Sequence, residues 1–302
     1  MTDILIPKKN LIFDATIFTS LQTCGRLLDL RFNHDLQLIS GKANALECGS
    51  LVHHILEHYN KGIIGGMSRA NAIEHGFKAG YLYIKNGEDG TGLKNTPAES
   101  EKKPRRTGYN FVLKRMEQYF DYYKNDHWIP LESEVVKGKV IYEDDEIRIL
   151  WKAKFDVIYD TNTGIYPADH KTRSMNKDIV SLNNQFIGQC VLMEVRNVII
   201  NNIGFQESLP LNEVFQRVMV PYSISRLAEW VNVIVPYWAK IYLTYLESGY
   251  FPPNFHSCEH KFGFCVFKEV CEVDEGMRTE ELALKFYKGK KWDISNSGED
   301  TL

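Results

Sequence analysis

Lys154-Phe-Asp156-Val-Ile-Tyr-Asp160 is followed, after a short break, by Ile165-Tyr-Pro-Ala-Asp169-His-Lys171-Thr172. Residues two apart on a strand share a face, so Asp169 and Lys171 project together. A hairpin closing over Asp160–Gly164 brings Asp156 beside Asp169. Two carboxylates on one sheet face repel unless a cation lies between them. Hard oxygen donors select Mg²⁺ or Mn²⁺. A lysine next to that ion can orient an attacking water and help deprotonate it, while the ion neutralises charge on a phosphate. Phosphodiester hydrolysis needs this chemistry. The plain alternative is a solvated strand face, but Phe155, Val157, Ile158, Ile165 and Ala168 mark both strands as buried, and buried charges require partners.

A second group of chemically able residues is the cysteines: Cys24, Cys48, Cys190, Cys258, Cys265 and Cys271. The last three cluster near the C-terminus in the pattern Cys258-x6-Cys265-x5-Cys271, which reads as a metal site rather than chance. Zinc and iron–sulfur both suit the residue type. Zinc sites favour spacings of two to four residues, shorter than those found here. His256 and His260 are available as zinc ligands. Cys48 and Cys190 have no partner pattern and read as small buried hydrophobes.

The elements that must position these groups follow from periodicity. Residues 14–35 read as a helix with Ser20 or Thr19 as N-cap, and 47–61 as an amphipathic helix with Leu51, Ile55 and Tyr59 on one face. A third helix is expected over 68–85. Residues 86–107 form a polar loop or linker, whose basic end, Lys102, Lys103, Arg105 and Arg106, is suited to DNA phosphates. Helix returns over 108–125. Residues 131–171 alternate apolar and polar, with breaks at Gly138, Glu143–Asp145 and Asp160–Gly164, and read as a meander of four or five strands. A helix over 176–195, strands at 197–206 and 214–221, and a long helix over 223–248 ending near Gly249 and Pro252 complete the pattern. The polar tail is expected to fray.

The formal net charge of −3, with 44% apolar and 25% charged residues, is ordinary for a globular protein. It gives no overall basic signal for nucleic acid, although local patches can still hold phosphates. There is no apolar run long enough for a membrane span. The start lacks a secretory pattern, so a cytoplasmic location is expected.

Phe-Asp156-x-Ile followed by Ala-Asp169-His-Lys171-Thr resembles motifs II and III of the PD-(D/E)XK nuclease superfamily, in the branch holding the RecB nuclease domain and the CRISPR-adaptation exonucleases. Gly49-Ser-Leu-Val-His53 resembles the Gly-x-x-x-His of that branch. The resemblance makes His53 a ligand of the catalytic metal with Asp156 and Asp169, with His54 as the neighbouring rival. Gln185-Phe-Ile-Gly-Gln189 resembles the branch's Gln-x-x-x-Tyr, with glutamine replacing the tyrosine. Gln185 then supports Lys171 or a phosphate, and Glu134 on the first strand is a further acidic candidate. Ser20-Leu-Gln-Thr-Cys24-Gly-Arg26, taken with the three C-terminal cysteines, resembles the branch's four-cysteine [4Fe–4S] site.

The implied fold is α/β: a restriction-endonuclease-like core with a central mixed sheet flanked by helices. A helical insertion spans about 62–130, and an iron–sulfur segment at 255–275 joins Cys24. One nuclease domain over 1–285 and a polar tail over 286–302 are expected. The implied activity is Mg²⁺- or Mn²⁺-dependent hydrolysis of DNA, as an exonuclease on single strands or ends, with limited endonuclease action, in phage or bacterial DNA processing, recombination or CRISPR adaptation. The alternatives are a non-catalytic DNA-binding or assembly subunit and a zinc-stapled scaffold.

Overall fold

A computed structural model of the chain describes residues 8–38, 44–85, 108–173, 182–260 and 263–294. Strand β1 (Lys9–Phe13) leads into α1 (Ala15–Thr23) and α2 (Gly25–Leu28), then β2 (Leu36–Leu38). Helices α3 (Asn44–Ile64), α4 (Arg69–Lys85) and α5 (Tyr109–Tyr122) follow. Next come β3 (Ile129–Glu143), β4 (Ile147–Thr161), β5 (Gly164–Arg173), α6 (Asn184–Met193), β6 (Asn197–Gly204), α7 (Leu211–Val214) and β7 (Phe215–Pro221). The chain continues through α8 (Ile224–Glu229) and α9 (Val235–Ser248) into β8 (Glu259–His260), β9 (Gly263–Phe264), α10 (Lys268–Glu272), α11 (Arg278–Lys285) and β10 (Phe286–Lys288). The fold is α/β, with a central mixed sheet flanked by helices. Its hydrogen-bonded order is β1-β4-β5-β6-β7, with β3 also on β4. The β1–β4 and β5–β6 pairs are parallel, and β4–β5 and β6–β7 are antiparallel.

The chain divides into two compact units. One comprises residues 42–137 and 154–222, with 297–302. Its core joins Leu51, Val52, Ile55 and Leu56 of α3 to Val112, Met116 and Phe120 of α5, and to Ile203 and Phe215 of the sheet. Four-residue recurrence in each helix puts these side chains on one face. Close packing of α3 on α4 requires small residues: a Cβ at Gly76 would lie 2.7 Å from the Ile55 carbonyl oxygen. Strand β6 is buried along nearly its whole length, as expected of an interior strand.

The other unit comprises residues 1–41, 138–153 and 223–296. Phe13, Phe18, Trp151 and Trp230 form its aromatic centre, with edge-to-face centroid distances of 4.7–6.3 Å. Phe267, Val270 and Phe286 form a second cluster, packed by Leu27, Leu30 and Leu36.

Several boundaries differ from those the sequence suggests. Asp14, not Ser20 or Thr19, caps α1, accepting from the Thr16 and Ile17 amides at 2.7 and 2.9 Å. The expected 14–35 helix breaks at Cys24, whose φ of −166° is extended. Gly138 is no turn, because its backbone stays out of the left-handed region and β3 runs straight through it. The meander therefore has three long strands instead of four or five. The long helix over 223–248 contains a π-turn at Trp230–Ile234 just before Pro236, where the proline cannot donate to the helical ladder. It ends at Gly249 in the left-handed conformation (φ 65°). Residues up to 294 belong to the fold rather than to a frayed tail. Phe286 and Ile294 are buried, and the Trp292 indole N–H donates to Asp14 Oδ2 at 2.6 Å. The basic residues Lys102, Lys103, Arg105 and Arg106 lie outside the described residues.

Candidate metal centre and cysteine pocket

The hairpin β4–β5 pairs Thr161 with Gly164 and Val157 with Ala168. One step further along the ladder, Asp156 and Asp169 come side by side on one face. The His170 amide donates to Asp156 Oδ2 at 2.7 Å, which fixes that carboxylate at the point where the strands diverge. His53 reaches it from α3, with Nδ1 3.5 Å from Asp156 Oδ2. The helix can lie this close because residue 49 is glycine: a Cβ there would meet Thr172 Oγ1 at 2.9 Å.

Glu134 arrives from β3 through a backbone turn into the left-handed region (φ 53°), a conformation costly for a residue with a Cβ and concentrated at functional sites. Neighbouring contacts hold it. Ser133 Oγ donates to the Asp156 carbonyl at 3.1 Å, and Lys154 Nζ lies 2.8 Å from Glu134 Oε2. One ligand atom each from His53, Glu134 and Asp156 falls within 4.8 Å of the others. This set can bind a divalent cation. Among the described residues no other group of three histidine, cysteine or acidic side chains meets that distance.

Asp169 stands beside this set in a different role. Its Oδ1 accepts from Gln185 Nε2 at 2.6 Å and its Oδ2 lies 2.8 Å from Lys171 Nζ. Oδ2 is buried and makes no well-directed hydrogen bond, so it retains a lone pair for a cation. Gln185 Oε1 accepts from Lys171 Nζ at 3.3 Å, closing a triangle of Asp169, Lys171 and Gln185. Asn183 caps α6 by accepting from the Gln185 amide at 2.8 Å, which sets the rotation of that helix. Gln189 is fully buried and donates to the Lys154 carbonyl at 3.1 Å. It therefore ties α6 to β4 and has no part in the triangle.

Electrostatics follow from burial. Desolvation and the nearby Asp156 charge push the Glu134 carboxyl up to about 7. Burial and Asp169 raise Asp156 as well. Burial lowers His53 and keeps it neutral, and a hydrogen bond with the His170 backbone orients its ring. A neutral imidazole beside two carboxyls that resist ionisation is a donor set short of positive charge. Of the residues singled out in the sequence, His53, Asp156, Asp169, Lys171 and Gln185 come together here. Glu134 enters the closest set, ahead of Asp169. The signal for it was its place on the strand facing Asp156, which spacing alone does not rank.

The other unit gathers Cys24, Cys258, Cys265 and Cys271 around one small cavity with Thr23, Leu27 and Phe267. The extended backbone at Cys24 turns its thiol outward from α1, where it accepts the Asn254 amide at 3.2 Å. Gly25 admits the 252–258 segment, because a Cβ there would lie 2.9 Å from the Pro252 carbonyl oxygen. The Cys265 amide donates to the Cys258 carbonyl at 2.8 Å. No three of these sulfurs lie within 4.8 Å of one another. They do not form the tetrahedron of a zinc site, in which Zn–S bonds of about 2.3 Å hold sulfurs roughly 3.8 Å apart. Cys48 and Cys190 are buried in the other unit, as expected of small hydrophobes.

No family model matches the chain, and no curated protein matches it. Among solved structures it is similar to a protein of Eubacterium rectale assigned provisionally as an exonuclease. The identity is 12%, the TM-score 0.45, and the match covers 87% of this chain and 88% of the other. A crystal structure of SSO0001 matches at 12% identity and a TM-score of 0.32, over 64% of this chain and 79% of that one. No helix among the described residues is long and apolar enough to cross a membrane.

Proposed function

We propose that the chain is a divalent-metal-dependent nuclease that hydrolyses phosphodiester bonds of DNA. The convergence of His53, Glu134 and Asp156 beside the Asp169–Lys171–Gln185 triangle carries this reading. His53, Glu134 and Asp156 would hold the ion, and Asp169 Oδ2 offers a further ligand. Bound Mg²⁺ or Mn²⁺ supplies Lewis acidity: it lowers the pKa of water and screens phosphate charge. Lys171, fixed by two partners, holds the attacking water by a hydrogen bond at Nζ and bears the positive charge that the scissile phosphate faces. Asp169 and Gln185 keep that amine in place. The resemblance of Phe-Asp156-x-Ile and Ala-Asp169-His-Lys171-Thr to nuclease motifs makes DNA the substrate, as single strands or ends attacked by an exonuclease. DNA-end processing, recombination and spacer trimming are the roles this fits.

The test is digestion of end-labelled single- and double-stranded DNA with Mg²⁺, Mn²⁺ or chelator. Cleavage should require metal and fall by about 10²-fold or more in Lys171→Ala, the usual scale for losing one preorganised donor at the reacting centre. Cleavage in chelator, or by Lys171→Ala at the wild-type rate, would defeat the proposal.

The cysteine pocket is assigned in the same reading to a [4Fe–4S] cluster held by Cys24, Cys258, Cys265 and Cys271. The four thiols line one cavity, and a [4Fe–4S] cluster takes four cysteine thiolates. Burial and the neighbouring cysteines raise the Cys258 thiol, and the cluster's positive irons would reverse that preference. Anaerobically purified protein should be brown, with broad absorbance near ~400 nm, and should lose iron in Cys258→Ser. Colourless protein with stoichiometric zinc would contradict the assignment.

A further inference from the structure

We propose that His54, His58 and His75 form a second metal site, for a borderline transition-metal ion such as Zn²⁺ or Ni²⁺, on the face shared by α3 and α4. His54 and His58 are four residues apart, which puts both imidazoles on one side of α3. Their ring centroids lie 4.6 Å apart, and His58 is 5.1 Å from the His75 ring. His53, one residue earlier, points about 100° away around the helix, toward the carboxylates. The two sites therefore share a helix and no ligand.

The third imidazole is held in the manner of a metal ligand. Gly76 lets α4 close to van der Waals contact with the α3 backbone at Ile55 and Tyr59. That approach brings His75 Nδ1 to 3.0 Å from the His58 carbonyl oxygen. A carbonyl only accepts, so Nδ1 carries the proton and Nε2 keeps its lone pair. Metal-bound histidines are oriented in this way, by donating the opposite ring N–H to a backbone carbonyl. His58 Nδ1 is enclosed and has no hydrogen-bond partner, a cost that a bound ion would relieve. Glu57 Oε2, 3.8 Å from His54 Nδ1, stands within reach as a fourth donor.

Ligand atoms from three of these residues do not yet lie within 4.8 Å of one another. Capture therefore requires one ring to rotate. His54 is the ring to turn: its Glu57 contact is long at 3.8 Å, and the rotation would exchange its packing on the Tyr83 ring, 4.7 Å away, for the ion. Imidazole donors select Zn²⁺, Ni²⁺ or Cu²⁺, whereas the carboxylate-rich site favours Mg²⁺ or Mn²⁺. Ring packing alone also holds three histidines together, and the experiment separates that from metal binding.

The full chain, with its cysteine site loaded, is titrated with Zn²⁺, and the stoichiometry is compared with that of the double variant His58→Gln/His75→Gln. The cysteines and the His53–Glu134–Asp156 set are common to both proteins, so the difference isolates this face. A loss of one Zn²⁺ per chain is expected, and equal stoichiometry overturns the proposal. Carbethoxylation of the unmutated protein, read by peptide mass spectrometry, decides the matter if the variant fails to fold. Zn²⁺ should slow modification of His54, His58 and His75 together, by tenfold or more, while Mg²⁺ should not. Unchanged rates with Zn²⁺ overturn it.

Discussion

Lowering the pH should weaken Mn²⁺ binding through protons held on Glu134. Its carboxyl, pushed up to about 7 by burial and by Asp156, must ionise before its oxygen can ligate a cation. With a pKa of about 7, it is about nine-tenths protonated at pH 6 and about one-tenth at pH 8. Mn²⁺ binding should therefore release about 0.9 proton from this group at pH 6 and about 0.1 at pH 8. Protons stabilise the ion-free form, so the dissociation constant rises as pH falls, by about tenfold between pH 8 and pH 6 from Glu134 alone. Asp156, raised in the same direction, adds to the effect. Burial lowers His53, so its share of the released protons is smaller than that of an exposed imidazole. Calorimetric titration in buffers of different ionisation enthalpy counts the protons. Glu134→Gln keeps an oxygen donor but carries no titrating proton, so the count at pH 6 should drop by about 0.9. The reasoning is refuted if wild type and Glu134→Gln release the same number of protons at pH 6.

Three other perturbations have expected outcomes. Gly49→Ala places a methyl 2.9 Å from Thr172 Oγ1 and should push His53 off the carboxylates. Mn²⁺ affinity should fall about tenfold, at an overpacking cost of about 1–3 kcal/mol, and Thr172→Ala in the same chain should restore most of it. Asp14→Ala removes the α1 cap and the Trp292 acceptor together. It should destabilise the fold by about 1–3 kcal/mol in urea unfolding. In the metal-free chain, stability should decline as pH rises from about 4.5 to about 7, the interval over which the unfolded Glu134 has ionised and the folded one has not. Denaturation midpoints measured across that range should show the decline shrinking in Glu134→Gln.

The site was legible in the sequence where local periodicity decides position. Asp156, Asp169 and Lys171 lie within one hairpin, and strand alternation with a single turn fixes their shared face. His53 came from a glycine four residues earlier, whose purpose the structure supplies: it lets the helix approach Thr172. Glu134 was harder to rank, because its placement depends on a left-handed backbone turn within a strand, which no residue pattern announces. Gln189, which stands where the resembled nuclease branch has a tyrosine, ties α6 to the Lys154 carbonyl. Helix ends were the weakest part of the reading. Asp14 out-competes Ser20 and Thr19 as a cap because its carboxylate reaches two amides at once, and the break at Cys24 is imposed by tertiary approach of the Pro252 segment. The stretch after Lys285 reads as a polar tail because its lysines mask two buried residues, Phe286 and Ile294, and the half-buried Trp292.

The most direct measurement is anomalous diffraction at the manganese edge from crystals grown with Mn²⁺. The expected map places a peak bonded to His53, Glu134 and Asp156, with Asp169 and Lys171 within reach of the same ion's ligands. A manganese peak held by other residues, or none at that site at saturating Mn²⁺, would contradict the metal centre on which the hydrolytic reading depends.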